Sequence, residues 1–143
     1  MINSLLLVDD EDLFHLVFED ACSLLNIALS IQTMYSTDEA ESQFNEWQSN
    51  PHNKPEVAFI DLNIIGSSMD GIDLIRKVNT VYGNGVVIGM ISSSSDPTEI
   101  DRAIEAGAQF WIVKSDDIEP RLEEFYRDYP GYLEGTAEFK VYR

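Results

Sequence analysis

The chain has 143 residues, enough for one domain with a hydrophobic core of its own. Hydrophobic residues make up 44% of it, which argues against intrinsic disorder, and no apolar run approaches the roughly 20 residues that cross a bilayer. Because 9 basic and 26 acidic residues give a formal net charge of −17, we expect neither DNA nor RNA as a partner.

Short apolar segments alternate five times with segments of helical periodicity. The apolar segments predict strands at 4–8 (SLLLV), 27–35, 57–61 (VAFID), 86–92 (VVIGMIS) and 110–113 (FWIV). Segments that are apolar throughout are typical of parallel strands buried on both faces. The second segment instead alternates, with Ile27, Leu29, Ile31, Thr33 and Tyr35 at every second position.

Each of the first three strands is followed by apolar residues at helical spacing. On the first predicted helix the apolar side consists of Leu13, Leu16, Val17, Ala21, Leu24 and Leu25. A capping box of Ser36 and Glu39 predicts the start of the second helix. Its apolar side consists of Ala40, Phe44 and Trp47. The third helix, after a loop rich in Gly and Ser, has Ile72, Leu74, Ile75 and Val78 on its apolar side.

Start and stop signals define the fourth predicted helix. A turn, YGNG (82–85), precedes the strand before it. Asp96 is a typical N-cap, Pro97 suits the first helical position, and Glu99 is the acid of a capping box. Apolar residues follow at Ile100, Ala103 and Ile104. Gly107 is typical of the residue just after a helix end.

The last helix is predicted at about 117–128, with Ile118, Leu122 and Phe125 on one side. The tail TAEFKVYR (136–143) alternates weakly, which leaves two alternatives, an additional edge strand or a mobile segment. We therefore divide the chain into a domain of residues 1–128 and a C-terminal tail of residues 129–143. Strands that alternate with helices predict an α/β domain, a parallel sheet with helices on both faces.

The N-terminal sequence and the cysteine content favour the cytoplasm. The opening MINSLLLVDD lacks a basic segment and reaches carboxylates too early for a signal peptide. The single cysteine, Cys22, cannot form an internal disulfide. It lies in an apolar helical pattern, which favours a buried side chain over a reactive thiol. We expect no membrane partner.

The ends of the predicted strands carry an unusual set of polar residues. Asp9 and Asp10 follow the first strand, Asp61 ends the third, Ser92 the fourth, and Lys114 follows the fifth. In open parallel sheets the binding site lies beyond these carboxyl ends. Two carboxylates ~4 Å apart repel by about 4 kcal/mol, so a cation is expected among the three acids. Oxygen ligands of this kind favour Mg²⁺.

With Mg²⁺ bound, Asp61 can act as a nucleophile towards a phosphoryl donor and form an aspartyl phosphate. The cation and the Lys114 ammonium would neutralise charge in the transition state, and Ser92 would donate a hydrogen bond to the attached phosphoryl group. His15 and His52 are the two histidines, on a predicted helix and a loop. We interpret both as structural or exposed residues and not as metal ligands.

Five segments in order carry a resemblance to a known family. They are LLLVDDE (5–11), VAFIDLN (57–63), MDGIDLIRKV (69–78), VIGMISSSSD (87–96) and AIEAGAQFWIVK (103–114). From residue 4 to about 128, the chain resembles bacterial two-component response regulator receiver domains of the chemotaxis-regulator type. The resemblance implies a flavodoxin-like, doubly wound five-stranded parallel sheet in the order 2-1-3-4-5. It also implies a sensor histidine kinase or a phosphotransfer protein as donor, and a downstream protein target that the sequence does not identify.

The resemblance assigns roles to individual residues. Asp61 matches the phosphoacceptor. Asp10 matches the direct Mg²⁺ ligand, and Asp9 matches an acid that acts mainly through water. Asn63 matches the position whose backbone carbonyl binds the metal.

Three further matches concern the phosphoryl group and the response to it. Ser92 and Lys114 match the hydroxyl and the ammonium that contact the phosphoryl group. Trp111 matches an aromatic residue that reorients on activation, so we predict that it rotates inward when Asp61 is phosphorylated. The alternative is that Trp111 is a core residue of its strand.

The sequence departs from the family pattern at two places. The segment NIIGSSMDG (63–71) is longer than the usual loop and lacks its proline. Ser115 follows Lys114, where the family has a proline in a cis peptide. We expect the cis geometry to persist, although without proline it costs roughly 2.5–4 kcal/mol.

The predicted function is a phosphorylation-activated receiver, a phosphoacceptor switch that can catalyse its own phosphorylation and dephosphorylation but is not otherwise an enzyme. One alternative is a receiver-like module that binds proteins without phosphorylation, which the Lys114–Ser115 departure keeps open. A weaker alternative is a Mg²⁺-dependent aspartyl-phosphate hydrolase. Such an enzyme needs a second acid two residues after its nucleophile, and Asn63 stands there.

Overall fold

The fold is taken from a computed structural model that describes residues 1–82 and 85–143. The strands are β1 (Ile2–Val8), β2 (Ala28–Met34), β3 (Val57–Ile60), β4 (Val87–Ser92), β5 (Phe110–Val113) and β6 (Lys140–Tyr142). The helices are α1 (Asp12–Leu25), α2 (Thr37–Ser49), α3 (Gly71–Thr80), α4 (Pro97–Ala106) and α5 (Glu119–Glu134). The turn predicted at 82–85 includes Gly83 and Asn84, which lie outside the described residues.

The strands form one parallel sheet in the order β2-β1-β3-β4-β5-β6. The predicted fold class and the predicted order of the first five strands are confirmed. The number of strands was predicted as five, but the described residues form six, because the tail forms the edge strand β6 beside β5. All the strands run the same way, so their carboxyl ends meet at one edge of the sheet.

Two hydrophobic clusters cover the two faces of the sheet. Leu6 and Val8 of β1 belong to the cluster under α2, α3 and α4, whereas Leu5 and Leu7 belong to the cluster under α1 and α5. Successive side chains of a strand point to opposite faces, so a strand between two layers of helices must be apolar at every position. This explains the uninterrupted apolar run at residues 5–8 of β1.

Local capping signals fix where two of the helices begin. The Ser36 hydroxyl accepts a hydrogen bond from the Glu39 amide (3.0 Å), and the Asp96 carboxylate accepts one from the Thr98 amide (3.0 Å). Each bond satisfies a backbone donor that has no partner within the helix. The predicted capping role of Glu99 is wrong, because its carboxylate accepts a hydrogen bond from the Ser94 hydroxyl (2.8 Å).

The predicted buried side of α1 is partly wrong. Leu13 and Leu24 are 71% and 73% exposed, and Leu16 is also exposed. Phe14 and Phe18 are buried instead, and the ring of Phe18 lies edge-on to that of Phe59, 5.1 Å between centroids. Aromatic rings bury more apolar surface than leucine side chains, which explains the orientation of the helix.

The predicted buried side of α4 is wrong at one position. Ile104 is 46% exposed. Ala103 is buried as predicted and Ala106 is buried as well, and both belong to the hydrophobic cluster under α2, α3 and α4.

α5 extends six residues beyond its predicted end at 128 and contains Pro130. A proline inside a helix removes one backbone hydrogen bond, which is why the sequence favoured an earlier end. The buried side of the helix continues past the proline through Tyr132. The Tyr132 hydroxyl bonds with that of Tyr142 on β6 (2.9 Å), and this packing holds both segments on the sheet.

No helix within residues 1–82 and 85–143 has both the length and the apolar character that a membrane span requires.

Candidate functional site

Four acidic side chains meet at the carboxyl ends of β1 and β3. Asp9, Asp10, Glu11 and Asp61 each offer one ligand oxygen, and these atoms lie within 4.8 Å of one another. Asp9 and Asp61 are buried, Asp10 is half-buried and Glu11 is exposed. The sequence predicted Asp9, Asp10 and Asp61 at the site but assigned no role to Glu11. Its position directly after Asp9 and Asp10 in the sequence was the signal that could have identified it.

Asp61 is held in a buried, strongly negative environment. Its Oδ1 accepts a hydrogen bond from the Leu62 amide (2.9 Å), and its Oδ2 lies 3.7 Å from Lys114 Nζ. Burial raises the pKa of the Asp61 carboxyl to about 7, and the Asp9 carboxylate adds to this effect while the Lys114 ammonium opposes it. The positive charge of Lys114 therefore does not fully offset the burial of Asp61 and its repulsion by Asp9.

Lys114 joins the acids from the end of β5. Its Nζ donates to Asp9 Oδ2 (2.7 Å) and to Glu11 Oε1 (2.9 Å), and it lies 4.6 Å from the centroid of the Phe14 ring. Burial lowers the pKa of the Lys114 amine, but the hydrogen bonds to the two carboxylates outweigh burial and raise it above its ordinary value. Lys114 is therefore a fixed positive charge beside Asp61.

The predicted cis peptide between Lys114 and Ser115 is wrong, because none of the described peptide bonds is cis. The Lys114 amide donates to the Ser92 carbonyl (2.8 Å), which continues the pairing of β4 with β5 beyond the strand. The Ser115 hydroxyl accepts a hydrogen bond from Arg121 Nη1 (2.6 Å). With the backbone fixed in this way, a trans bond already points Lys114 towards the acids.

Ser92 and Trp111 are linked through Ser94. Ser92 is buried at the end of β4, and its hydroxyl accepts a hydrogen bond from the Ser94 amide (3.2 Å). Trp111 is completely buried, and its indole N–H donates to the Ser94 carbonyl (3.0 Å). The indole of Trp111 is therefore already buried, and it occupies this position without the inward rotation that the sequence predicted on phosphorylation. A movement of Ser92 can still reach Trp111 through Ser94.

The loop between β3 and α3 borders the acids on one side. Asn63 is exposed two residues after Asp61. The Ile65 amide donates to Asp10 Oδ2 (3.1 Å), so this longer loop contacts one of the acids directly.

The two histidines do not supply ligands to this cluster. The buried His15 pairs through Nε2 with the Asp9 carbonyl oxygen (2.6 Å), and its ring stacks on that of Tyr35 at 4.4 Å. His52 is exposed on the loop before β3.

The donor set fits a hard divalent cation. It consists of carboxylate oxygens, which Mg²⁺ prefers, and its members are close enough to share one ion. Burial, and next the Asp9 charge, raise the pKa of Asp61, so a further positive charge at this site would favour its ionised form. Together with a fixed ammonium and a buried hydroxyl, such a site can stabilise a phosphoryl group on Asp61.

Comparison with known proteins agrees with this arrangement. The chain matches the family model of the response regulator receiver domain over residues 5–124. A two-component response regulator from Cytophaga hutchinsonii is similar in structure, with 23% identity and a TM-score of 0.77 over 91% of this chain and 98% of that chain.

Two other solved structures share the fold. The response regulator domain of Thermotoga maritima CheB has 19% identity and a TM-score of 0.69 over 90% of this chain and 96% of that chain. The phosphorylated cyanobacterial phytochrome response regulator RcpA has 16% identity and a TM-score of 0.69 over 96% of this chain and 97% of that chain. No curated protein matches the sequence. On the match to the family model, the chain belongs to the response regulator receiver domain family.

Proposed function

We propose that this receiver domain is a phosphorylation-activated switch that accepts a phosphoryl group on Asp61 in the presence of Mg²⁺. The observation that carries the proposal is the position of the Asp61 carboxylate, which is buried at the carboxyl edge of the sheet, 3.7 Å from the Lys114 ammonium that also binds Asp9. The phosphorylated state of the similar protein RcpA supports the same chemistry here.

In the proposed reaction a carboxylate oxygen of Asp61 forms a bond to phosphorus while the bond from phosphorus to the donor breaks, and the electron pair of that bond leaves with the donor. Bound Mg²⁺ would supply positive charge that favours the ionised carboxylate and stabilises the phosphoryl oxygens. Lys114, 3.7 Å from Asp61 Oδ2, would stabilise the same oxygens from the other side. The Ser92 hydroxyl would turn from the Ser94 amide and donate to the attached group.

The oxygen ligands of the cation would come from the residues that converge here. We assign Asp10 and Asp61 as direct ligands, together with the backbone carbonyl of Asn63, and Asp9 as a ligand through water. The geometry that supports this assignment is the close approach of the carboxylate oxygens. Glu11 is not assigned as a ligand, because its carboxylate accepts a hydrogen bond from Lys114 (2.9 Å).

We propose a sensor histidine kinase or a phosphotransfer protein as the donor, in the cytoplasm. Leu13 and Ile65, which flank the acids in the chain and are 71% and 88% exposed, would suit contact with a protein donor. The net charge of −17 disfavours nucleic acid as a partner of this domain. The alternative of a module that works without phosphorylation rested on Ser115, and Lys114 lies beside Asp61 despite it. The hydrolase alternative requires a second acid two residues after Asp61, and residue 63 is an asparagine.

Incubation with acetyl phosphate and Mg²⁺, followed by intact-mass measurement, tests the proposal. We expect one added phosphoryl group on the wild type and none on Asp61→Asn. Asp101→Asn, which removes an exposed acid of α4, is the matched control and should be labelled like the wild type. Undiminished labelling of Asp61→Asn would move the acceptor elsewhere and contradict the central assignment.

A further inference from the structure

The loop between β3 and α3 contacts Asp10 of the acidic cluster through the backbone amide of Ile65. Its Ile64 side chain is buried in the core, whereas the next side chain, Ile65, is 88% exposed. The amide of Ile65 donates to Asp10 Oδ2 (3.1 Å). Among the described residues this is the only hydrogen bond to the Asp10 carboxylate, so the orientation of Asp10 depends on where the loop lies.

The other side of the same loop is attached to the N-terminus of α2. The Ser67 hydroxyl accepts a hydrogen bond from the Thr37 amide (3.0 Å), and the Thr37 hydroxyl donates to the Met69 carbonyl (2.8 Å). The Ser68 amide donates to Asp38 Oδ2 (3.2 Å), and the Ser68 hydroxyl donates to Asp38 Oδ1. Thr37 is completely buried, which makes this end of α2 a rigid support. We call these four hydrogen bonds the α2 clamp.

Groups that hydrogen-bond to a metal-binding carboxylate hold it in the orientation that the metal needs, and their loss typically costs 10–100-fold in metal affinity. Asp10 is half-buried. The bond from Ile65 to one oxygen restricts rotation of the carboxylate, and no described residue donates a hydrogen bond to the other oxygen, Oδ1.

We propose that the α2 clamp positions the Ile65 amide on Asp10 and thereby sets the affinity of the site for a divalent cation. Thr37, Asp38 and Ser68 are then positioning residues for a site that they do not touch. The inference rests on the proposed function, because it takes Asp10 as a ligand of Mg²⁺. It makes the N-terminus of α2 a second determinant of cation affinity besides the acids themselves.

The direct test removes the amide donor. Ile65→Pro lacks the backbone N–H, and Ile65→Ala keeps it while it removes the exposed side chain. Titration with MgCl₂ by isothermal calorimetry gives Kd for each, and urea unfolding in EDTA gives the stability without metal. We expect Ile65→Pro to raise Kd for Mg²⁺ at least tenfold and Ile65→Ala to leave it unchanged.

The clamp is tested at Ser68, an exposed residue whose replacement leaves the core intact. We expect Ser68→Ala to raise Kd for Mg²⁺ severalfold. Ser68→Thr retains the hydroxyl and should keep Kd close to the wild-type value. Ser23→Ala, at an exposed serine of α1, is the control and should leave Kd unchanged. A purely structural clamp would lower the urea midpoint of Ser68→Ala in EDTA without a change in Kd, and that result overturns the proposal. An unchanged Kd in Ile65→Pro overturns it as well. If the wild type binds no Mg²⁺, the proposed function itself fails first.

Discussion

The environment of Asp61 predicts a stability cost that Asp61→Asn should remove. The change keeps the size of the side chain and eliminates its charge. Burial and the Asp9 carboxylate raise the pKa of Asp61 from 3.8 to about 7, a difference of about three units. At about 1.4 kcal/mol per unit, the ionised carboxylate costs the metal-free folded state about 4 kcal/mol.

The sign of the pH dependence follows from the direction of the shift. The folded state holds the Asp61 proton more tightly than the unfolded state, so the stabilising effect of that proton is complete below about pH 3.8 and is lost as the pH rises to about 7. The free energy of unfolding of Asp61→Asn should therefore exceed that of the wild type by little near pH 4, and the difference should grow by nearly 4 kcal/mol by pH 8.

Urea unfolding in EDTA at several pH values, followed by circular dichroism, measures this difference. Acids that do not interact with Asp61 titrate alike in both proteins and cancel, and any effect of the new amide on packing is a constant offset. Asp101→Asn should follow the wild type at every pH. Saturating Mg²⁺ should close the gap at pH 8, because it favours the ionised carboxylate. A difference that does not change with pH would refute the reasoning, since it would mean that Asp61 carries its charge without penalty.

Three other results are expected. Mg²⁺ should stabilise the folded state by about 2.7 kcal/mol at a hundredfold excess over Kd and should therefore raise the Tm, as thermal melts with Mg²⁺ and with EDTA will measure. In Asp10→Asn this rise in Tm should be smaller. In a Trp47→Phe background, where Trp111 is the one tryptophan, beryllium fluoride with Mg²⁺ should change the Trp111 fluorescence emission. The change should disappear when Ser92→Ala is added, and a change that persists would contradict the path through Ser94. Gly89→Ala would place a methyl group 2.6 Å from the Phe110 ring and its carbonyl oxygen, so we expect a loss of about 1–3 kcal/mol in urea unfolding, and an unchanged midpoint would show that β4 and β5 can separate easily.

The strand order and the set of residues at the carboxyl edge could be predicted because they follow from short-range signals and a family pattern. Uninterrupted apolar runs identify strands buried on both faces, and each such run ends at a polar residue that the topology brings to one edge. The resemblance supplied the strand order, and the six-stranded sheet retains it. Capping at Ser36 and Asp96 depends on neighbours within three residues and was equally predictable.

Features that depend on competition between distant groups were less predictable. Both leucines and phenylalanines of α1 have helical spacing, and the choice between them is made by contacts such as that of Phe18 with Phe59, 41 positions away in the chain. Pro130 signals a helix end, but the Tyr132–Tyr142 contact outweighs that signal. The trans bond after Lys114 follows from the cost of a cis peptide without proline, which outweighs the geometry that the family pattern implies.

The sixth strand has a consequence for the colloidal behaviour of the protein. Without β6 the sheet would end at FWIV (110–113), four uncharged apolar residues of a kind that readily pairs with other chains. β6 covers that strand and presents a three-residue edge instead, in which the Lys140 ammonium is bound to Glu124 (2.8 Å) and Asp128 (2.9 Å). A short edge with a charged side chain is a poor template for further strands. The segment that follows α5 thus protects the apolar strand β5 from pairing with other chains, whatever signal the domain carries.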